Sequence, residues 1–213
     1  MKHVVLLRAR GQPEALQQRT LEFFEPAPFD VAINVVQRDT NAPWHVVIEA
    51  WTDQDTLFAS LRAAALESMV AAQATYRVTE LVEKDEGPGA GWPVPGVRLI
   101  VPWVGRGDVS PSERRRHWNE HVPLANRVHV GVTRYVRNWI EGAVGDDAAS
   151  APPYQGIASQ HYASERDMIE RSFDSPASVQ VINDDVADFI ADHVVLLVTE
   201  YRRSQQPADA TRP

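Results

Sequence analysis

Arg77-Val78-Thr79-Glu80 and Val194-Val195-Leu196-Leu197-Val198-Thr199-Glu200 carry the same Val-Thr-Glu tripeptide, once near the middle of the chain and once near its end. Working back from each copy gives the same succession of patterns. Each half opens with an apolar strand, Val4-Val5-Leu6-Leu7 or Val97-Arg98-Leu99-Ile100-Val101. A helical segment follows, Pro13 to Phe24 in the first half and Pro111 to about Val122 in the second. Two strand-like runs come next: Val31 to Val36 and Val46 to Trp51, then Val132 to Val136 and Gly156 to Tyr162. Thr52-Asp53-Gln54-Asp55 and Ser164-Glu165-Arg166-Asp167 open second helices, with Leu57, Phe58 and Leu61, and Met168, Ile169 and Phe173, at helical spacing. The order βαββαβ, repeated, is that of two ferredoxin-like units. Val194 to Val198 is apolar at both parities, so neither of its faces should meet water. Helices cover one face of a four-stranded sheet, and the second copy supplies the cover for the other. The expected class is α+β, with two fused repeats packed sheet to sheet.

Glu86 to Gly96 (EGPGAGWPVPG) is too rich in proline and glycine to sustain a helix or a central strand. It divides the chain into an expected N-terminal repeat (1–86), a linker (87–96), a C-terminal repeat (97–203) and a polar tail (204–213). Hydrophobic residues make up 44% and charged residues 23% of the 213, the balance of a soluble globular protein. The formal net charge of −8 repels a phosphate backbone. The run Arg114-Arg115-Arg116 points three ways from one helix, so nucleic acid is not an expected partner. The absence of cysteine excludes disulfides, thiolate metal sites and a thiol nucleophile. The N-terminal run is too short for a signal segment and no stretch is long enough to span a bilayer, so a cytoplasmic protein is expected.

Ser110-Pro111-Ser112-Glu113 is a capping box with proline at the first helical position. On the helix it opens, Trp118, Val122 and Ala125 form the inward stripe, with His121 at its edge and His117 further round. Pro123 lacks an N–H and should kink or stop the helix, which leaves His121 in a final turn where the dipole favours its protonated form. Two roles fit that histidine: a general acid or base near neutral pH, or a cap on free carbonyls. Along the next strand Arg134 and Asn138 share parity with Val132 and Val136, while Tyr135 and Trp139 face the other side. His161 and Tyr162 alternate in the same way one strand further on. Parity alone does not say which face lines a cavity, and Arg134 also fits as a buried ion-pair partner. His117 and His121, at i and i+4, form half of a metal site that would need His161, His129 or a carboxylate as third ligand. No other ligand cluster is apparent, and no metal is expected.

His117-Trp118-Asn119-Glu120-His121-Val122-Pro123-Leu124-Ala125 resembles the helix signature of the EthD family, an aromatic followed by His-x-Pro-Leu. Gly131-Val132-Thr133-Arg134-Tyr135-Val136-Arg137-Asn138 resembles the strand that follows it. The first half has neither His-x-Pro on its first helix nor Arg-Tyr on its second strand, so one site is expected, in the C-terminal repeat. The resemblance implies a dimeric α+β barrel, here formed within one chain, that handles a hydrophobic small molecule without a cofactor. It implies a lyase or isomerase of aromatic, oxygenated compounds acting by decarboxylation, dehydration, isomerisation or cyclisation. The alternatives are a non-catalytic binder and a cofactor-free monooxygenase of a phenol or quinol. The expected catalytic residues are His121, Arg134, Tyr135 and His161, and the expected substrate contacts are His117, Trp118, Asn138, Trp103 and Tyr162. A homodimer is one assembly open to the chain, and the sequence does not fix the assembly state.

Overall fold

The structure, a computed structural model, describes residues 1–37 and 42–204. Apart from Ser204, the expected polar tail lies outside the described residues. In chain order the elements are β1 (Lys2–Ala9), α1 (Pro13–Phe24), β2 (Asp30–Val36), β3 (Val46–Trp51), α2 (Gln54–Ala63), β4 (Val70–Asp85), β5 (Val97–Gly105), α3 (Pro111–Val128), β6 (Val132–Ala143), β7 (Gly156–Tyr162), α4 (Glu165–Arg171), α5 (Pro176–Ala187), β8 (Ile190–His193) and β9 (Leu196–Arg203). The fold is α+β. Eight strands close an antiparallel barrel in the cyclic order β1-β3-β2-β9-β5-β7-β6-β4, and β8 adds to the end of β5.

The barrel that the family resemblance implied is closed by two edge pairings that patterning did not reveal. Two long edges, β4 with β6 and β2 with β9, are hydrogen-bonded to each other, so no edge strand of the barrel is left open. Inside, Val4, Leu6, Val47 and Tyr76 from the first half meet Ile100, Ile157, Leu196 and Val198 from the second. Outside, α1 and α2 cover a cluster of Val5, Leu7, Leu16, Phe24, Ile48 and Leu57. Helix α3 covers Val97, Val132, Tyr135 and Tyr162 with its Val122 and Ala125. Among the described residues no helix is long and apolar enough to cross a membrane.

Several local expectations are corrected. Helix α3 does not stop at Pro123 but runs on to Val128, because Ala125 and Val128 are buried and the His129 N–H closes the end on Ala125 O. His121 therefore sits in mid-helix. The second helix of the second half ends at Arg171, with Ile169 71% exposed, and α5 and β8 follow it as elements that the pattern did not suggest. The last strand begins at Leu196, so the expectation of two-sided burial fails at Val195, which is 56% exposed. A bulge between Val132 and Arg134 turns Val132 to the same side as Tyr135, away from Arg134.

The interior of the barrel holds a layer of polar side chains, one from each of its eight strands: Lys2, Asn34, Glu49, Glu80, Arg98, Asn138, Ser159 and Glu200. Glu49 lies between two cations, 2.6 Å from Lys2 Nζ and 2.6 Å from Arg98 Nη1. Lys2 also reaches Glu80 at 2.6 Å, and Arg98 donates to Glu200 and Asn34 at 3.1 Å and to Ser159 at 2.7 Å. Burial opposes ionisation of Glu49, but Arg98 and Lys2 overcome it and hold the carboxyl well below the usual carboxylate range. Removing one partner from such a cluster strands a buried charge. Glu49→Gln is expected to lower unfolding free energy by roughly 3–5 kcal/mol in urea titrations. In the wild type the Glu49 contribution is complete above the unfolded carboxyl value near 4.3 and is lost as pH falls below it. A loss under about 1 kcal/mol would show the layer to be energetically incidental.

Candidate functional site

The nine expected site residues fall on two faces of the sheet. Tyr135 and Tyr162 alternate with Arg134 and His161 along β6 and β7, so the first pair lies under α3 and the second inside the barrel. Trp103, His117, Trp118 and His121 belong to the α3 side, and Asn138 to the interior. The set therefore cannot converge on one substrate atom.

The interior members are engaged with the protein. His161 Nε2 lies 2.9 Å from Pro95 O and Nδ1 lies 2.8 Å from Thr133 Oγ1. Since only an N–H can meet the carbonyl, Nε2 carries the proton and Nδ1 accepts from the threonine. Arg134 is buried against the same end of the barrel, and its Nε is 3.2 Å from Asp85 Oδ1 but misaligned for a hydrogen bond. Burial and the neighbouring Arg202 and Arg98 push its pKa down. Asn138 donates to Ile157 O at 3.3 Å, while its Oδ1 has no partner. Lys2, Glu49, Arg98 and Glu200 were not expected in this compartment. Their signal was a charge at the inward parity of otherwise apolar strands, as in Val46-Val47-Ile48-Glu49 and Val97-Arg98-Leu99.

On the outer face His121 is 6% exposed and pairs through Nδ1 with Asp185 Oδ2 at 2.6 Å. Asp185 comes from α5, an element inserted between α4 and β9, and sequence reasoning missed it because the two positions are 64 residues apart. Burial lowers the His121 pKa more than Asp185 raises it, and Arg137 lowers it further. This overturns the expectation of a protonated histidine at a helix end. A neutral imidazole whose Nδ1–H donates to a carboxylate keeps a lone pair on Nε2, which has no hydrogen-bond partner among the described residues. Arg137 braces the wall behind it, donating to Glu83 at 2.8 Å, to Trp118 O at 3.0 Å and to Asn119 Oδ1 at 2.9 Å. Burial raises the Tyr135 phenol to about 12, so it stays a neutral hydroxyl.

Aromatic rings line the rest. Trp103, Trp118, Trp139 and Phe189 form one cluster, with Trp118 and Trp139 4.4 Å apart and edge to face. His117 stacks on Phe189 at 6.1 Å, and the His121 ring meets the same phenylalanine at 6.2 Å. Gly156 allows this closeness: a Cβ there would lie 2.5 Å from Trp118 and 2.6 Å from Trp103. Of the third ligands that a metal on His117 and His121 would need, His161 lies across the sheet, and His129 Nδ1 is 2.6 Å from Ser172 O. No group of three His, Asp or Glu side chains suited to a metal occurs among the described residues.

Residues 106–193, covering α3, β6, β7, α4, α5 and β8, match the family model for the EthD domain. No curated protein matches the chain in sequence. An anthrone oxidase-like protein is similar in structure, with a TM-score of 0.66 at 10% identity over 99% of this chain and 96% of that one. A candidate monooxygenase from Lactobacillus acidophilus NCFM gives 0.55 at 10% identity over 96% and 95%. The siroheme decarboxylase NirDL gives 0.55 at 11% identity, covering 96% of this chain and 73% of that one. At such identities the likeness is one of fold.

His121, His129 and His161 share a titration direction, since burial depresses all three. Each is held neutral in the folded state, so its stabilisation is complete above the unfolded value near 6.5 and is lost as pH falls through that value toward the folded one. Thermal unfolding midpoints are expected to be level from pH 8 to 7 and to drop between pH 6.5 and 5. A midpoint unchanged at pH 5 would contradict the neutral assignments.

Proposed function

We propose, on the match of residues 106–193 to the EthD domain model, that the chain is a cofactor-independent enzyme moving protons on a hydrophobic, oxygenated, aromatic small molecule. The observation that carries this reading is the neutral His121 held by Asp185 with its Nε2 unpartnered. In the proposed reaction Nε2 takes a proton from an acidified C–H or a phenolic O–H of the substrate. Asp185 stabilises the imidazolium that forms, at a cost the buried site would otherwise bear alone. Return of the proton to a different atom completes an isomerisation, and its delivery to a departing hydroxyl, which leaves as water, completes a dehydration. In a decarboxylation the proton goes instead to the carbon that bears the carboxylate, and CO2 leaves as the electrons of the broken C–C bond stay with the substrate. His117, Trp118, Trp103 and Tyr162 contribute to the apolar wall, and the neutral Tyr135 supplies polarity near Asp185.

Arg134, Asn138 and His161 are assigned to holding the barrel end rather than to catalysis. The like strand orders β4-β1-β3-β2 and β9-β5-β7-β6 support reading 1–86 and 97–203 as two ferredoxin-like repeats joined by the linker 87–96. The first serves as the fixed partner of the second.

Anthrone is a suitable probe, because its methylene is acidified by two rings and its name attaches to one structural relative. Exchange of that methylene in D2O, followed by proton NMR, is expected to be accelerated by the protein. His121→Ala should reduce the acceleration roughly 10²-fold or more and Asp185→Asn by roughly tenfold, with Glu120→Gln on the exposed side of α3 unchanged. Equal exchange in wild type and His121→Ala would remove the proton-transfer role. Binding without exchange would favour the non-catalytic reading, and His121-dependent oxygen uptake would move the assignment to oxygenation.

A further inference from the structure

A cleft of about 500 Å³ opens between the first turns of α3 and the ends of β5 and β6, and His121 is not among its lining residues. Its lining joins the rings of Trp103 and Trp139 to two arginines, Arg114 and Arg115, of which Arg115 also lies 3.7 Å from Glu141 Oε1. Trp103 and Trp139 supply rings 6.1 Å apart, and the Arg115 guanidinium sits 5.0 Å from the Trp139 ring. Arg114 is anchored by its Nη1 donating to Arg106 O at 2.6 Å, so its charge is held at the cleft. Gly105 lets these groups close on the strand end, since a Cβ there would lie 2.1 Å from Gln155 Oε1 and 2.3 Å from Arg114 Cδ.

Two polar atoms of the lining are buried without any hydrogen-bond partner: Nε1 of Trp103, a donor on a side chain 1% exposed, and Oε1 of Gln155, an acceptor. Leaving a buried donor and a buried acceptor unmet costs the desolvation of each. A hydroxyl that reached both would accept from the indole N–H and donate to the amide oxygen. The volume suits two or three fused rings, and the arginines suit a carboxylate at the outer end.

We propose that this cleft binds a hydroxylated aromatic carboxylate, with its hydroxyl between Trp103 Nε1 and Gln155 Oε1, its rings against Trp103 and Trp139, and its carboxylate at Arg114 and Arg115. As a statement of substrate class it rests on the proton-transfer reading. As a statement of binding it stands without it, because its test does not measure turnover.

The probe is 6-hydroxy-2-naphthoic acid, whose hydroxyl and carboxylate stand at opposite ends of the fused rings, followed by quenching of tryptophan fluorescence and by isothermal titration, with 2-naphthoic acid as the analogue lacking the hydroxyl. The hydroxy acid is expected to bind at least tenfold more tightly than the analogue, since a site built around a hydroxyl discriminates against its loss. Gln155→Leu should weaken the hydroxy acid about tenfold and leave the analogue unchanged. Trp103→Phe keeps an aromatic ring, though a smaller one, removes the N–H and should weaken the hydroxy acid more than the analogue. Should Trp103→Phe fail to fold by circular dichroism, Gln155→Leu, on a half-buried residue, decides the hydroxyl contact. Arg115→Ala should weaken both acids several-fold, and that loss should shrink as salt is raised. Equal affinity for the two acids, unchanged affinity in Gln155→Leu, or no binding of the hydroxy acid at millimolar concentration would each overturn the proposal. Loss of anthrone exchange in His121→Ala with naphthoate binding intact would leave both readings standing as separate properties.

Discussion

Glu49 between Lys2 and Arg98 is the contact on which the closed barrel depends. An eight-stranded barrel formed from two sheets needs something to fix which edges meet and in which register. Apolar contacts alone tolerate sliding, because one buried valine replaces another at little cost. A carboxylate that must reach a lysine on β1 and an arginine on β5 does not slide. Arg98 then ties the second half to Asn34 and Glu49 of the first and to Glu200 and Ser159 of its own. Such a cluster need not add net stability over an apolar core of equal volume, since desolvating its ions is costly. Its physical effect is specificity: any other pairing of the edges would leave several buried charges unmet.

Filling the interior this way has a consequence for chemistry. Most inward groups are committed to one another or to the linker, as when Pro95 O receives the His161 N–H, while Asn138 Oδ1 and Arg134 Nε have no hydrogen-bond partner. The histidine–aspartate pair lies on the outer face, between sheet and helix, and there the halves differ. Under α1 and α2 the cluster is aliphatic and phenyl, with Leu16, Phe24, Ile48 and Leu57 fully buried. Under α3 and beside α5 it includes three indoles, a histidine–aspartate pair and the Arg137–Glu83 ion pair. On the outer face, then, the histidine–aspartate pair and the indoles gather in the second half.

How much of this was legible follows from the range of each signal. The strands of both halves, the capping box at Ser110 and the inward stripe Trp118, Val122 and Ala125 are local patterns, and the structure contains them. The capping box is realised in both directions, with Ser110 accepting from the Glu113 N–H and Glu113 accepting from the Ser110 N–H. Pro123 misled because its local cost was weighed without the burial of Ala125 and Val128 beyond it, which holds the helix together past the missing bond. The bulge at Thr133 misled for a related reason. One extra residue reverses parity upstream of it, and no side-chain pattern marks the place.

The His121 partner was invisible for a deeper reason. Asp185 sits on a helix whose existence the repeat pattern argued against, since the first half has no equivalent of α5 between α2 and β4. An inserted helix can change the outer face without disturbing the barrel, because it adds no strand to the closed ring and touches α3 from outside. The barrel frame and the chemical groups are thus specified by different parts of the chain. The frame is set by alternation in the strands and by the charged layer within them. The candidate base is set by a helix laid over that frame, which brings a carboxylate to a histidine that burial alone would leave neutral and unoriented. The like strand orders of the two halves therefore say little about where proton transfer would occur, and α5, which the first half lacks, says most.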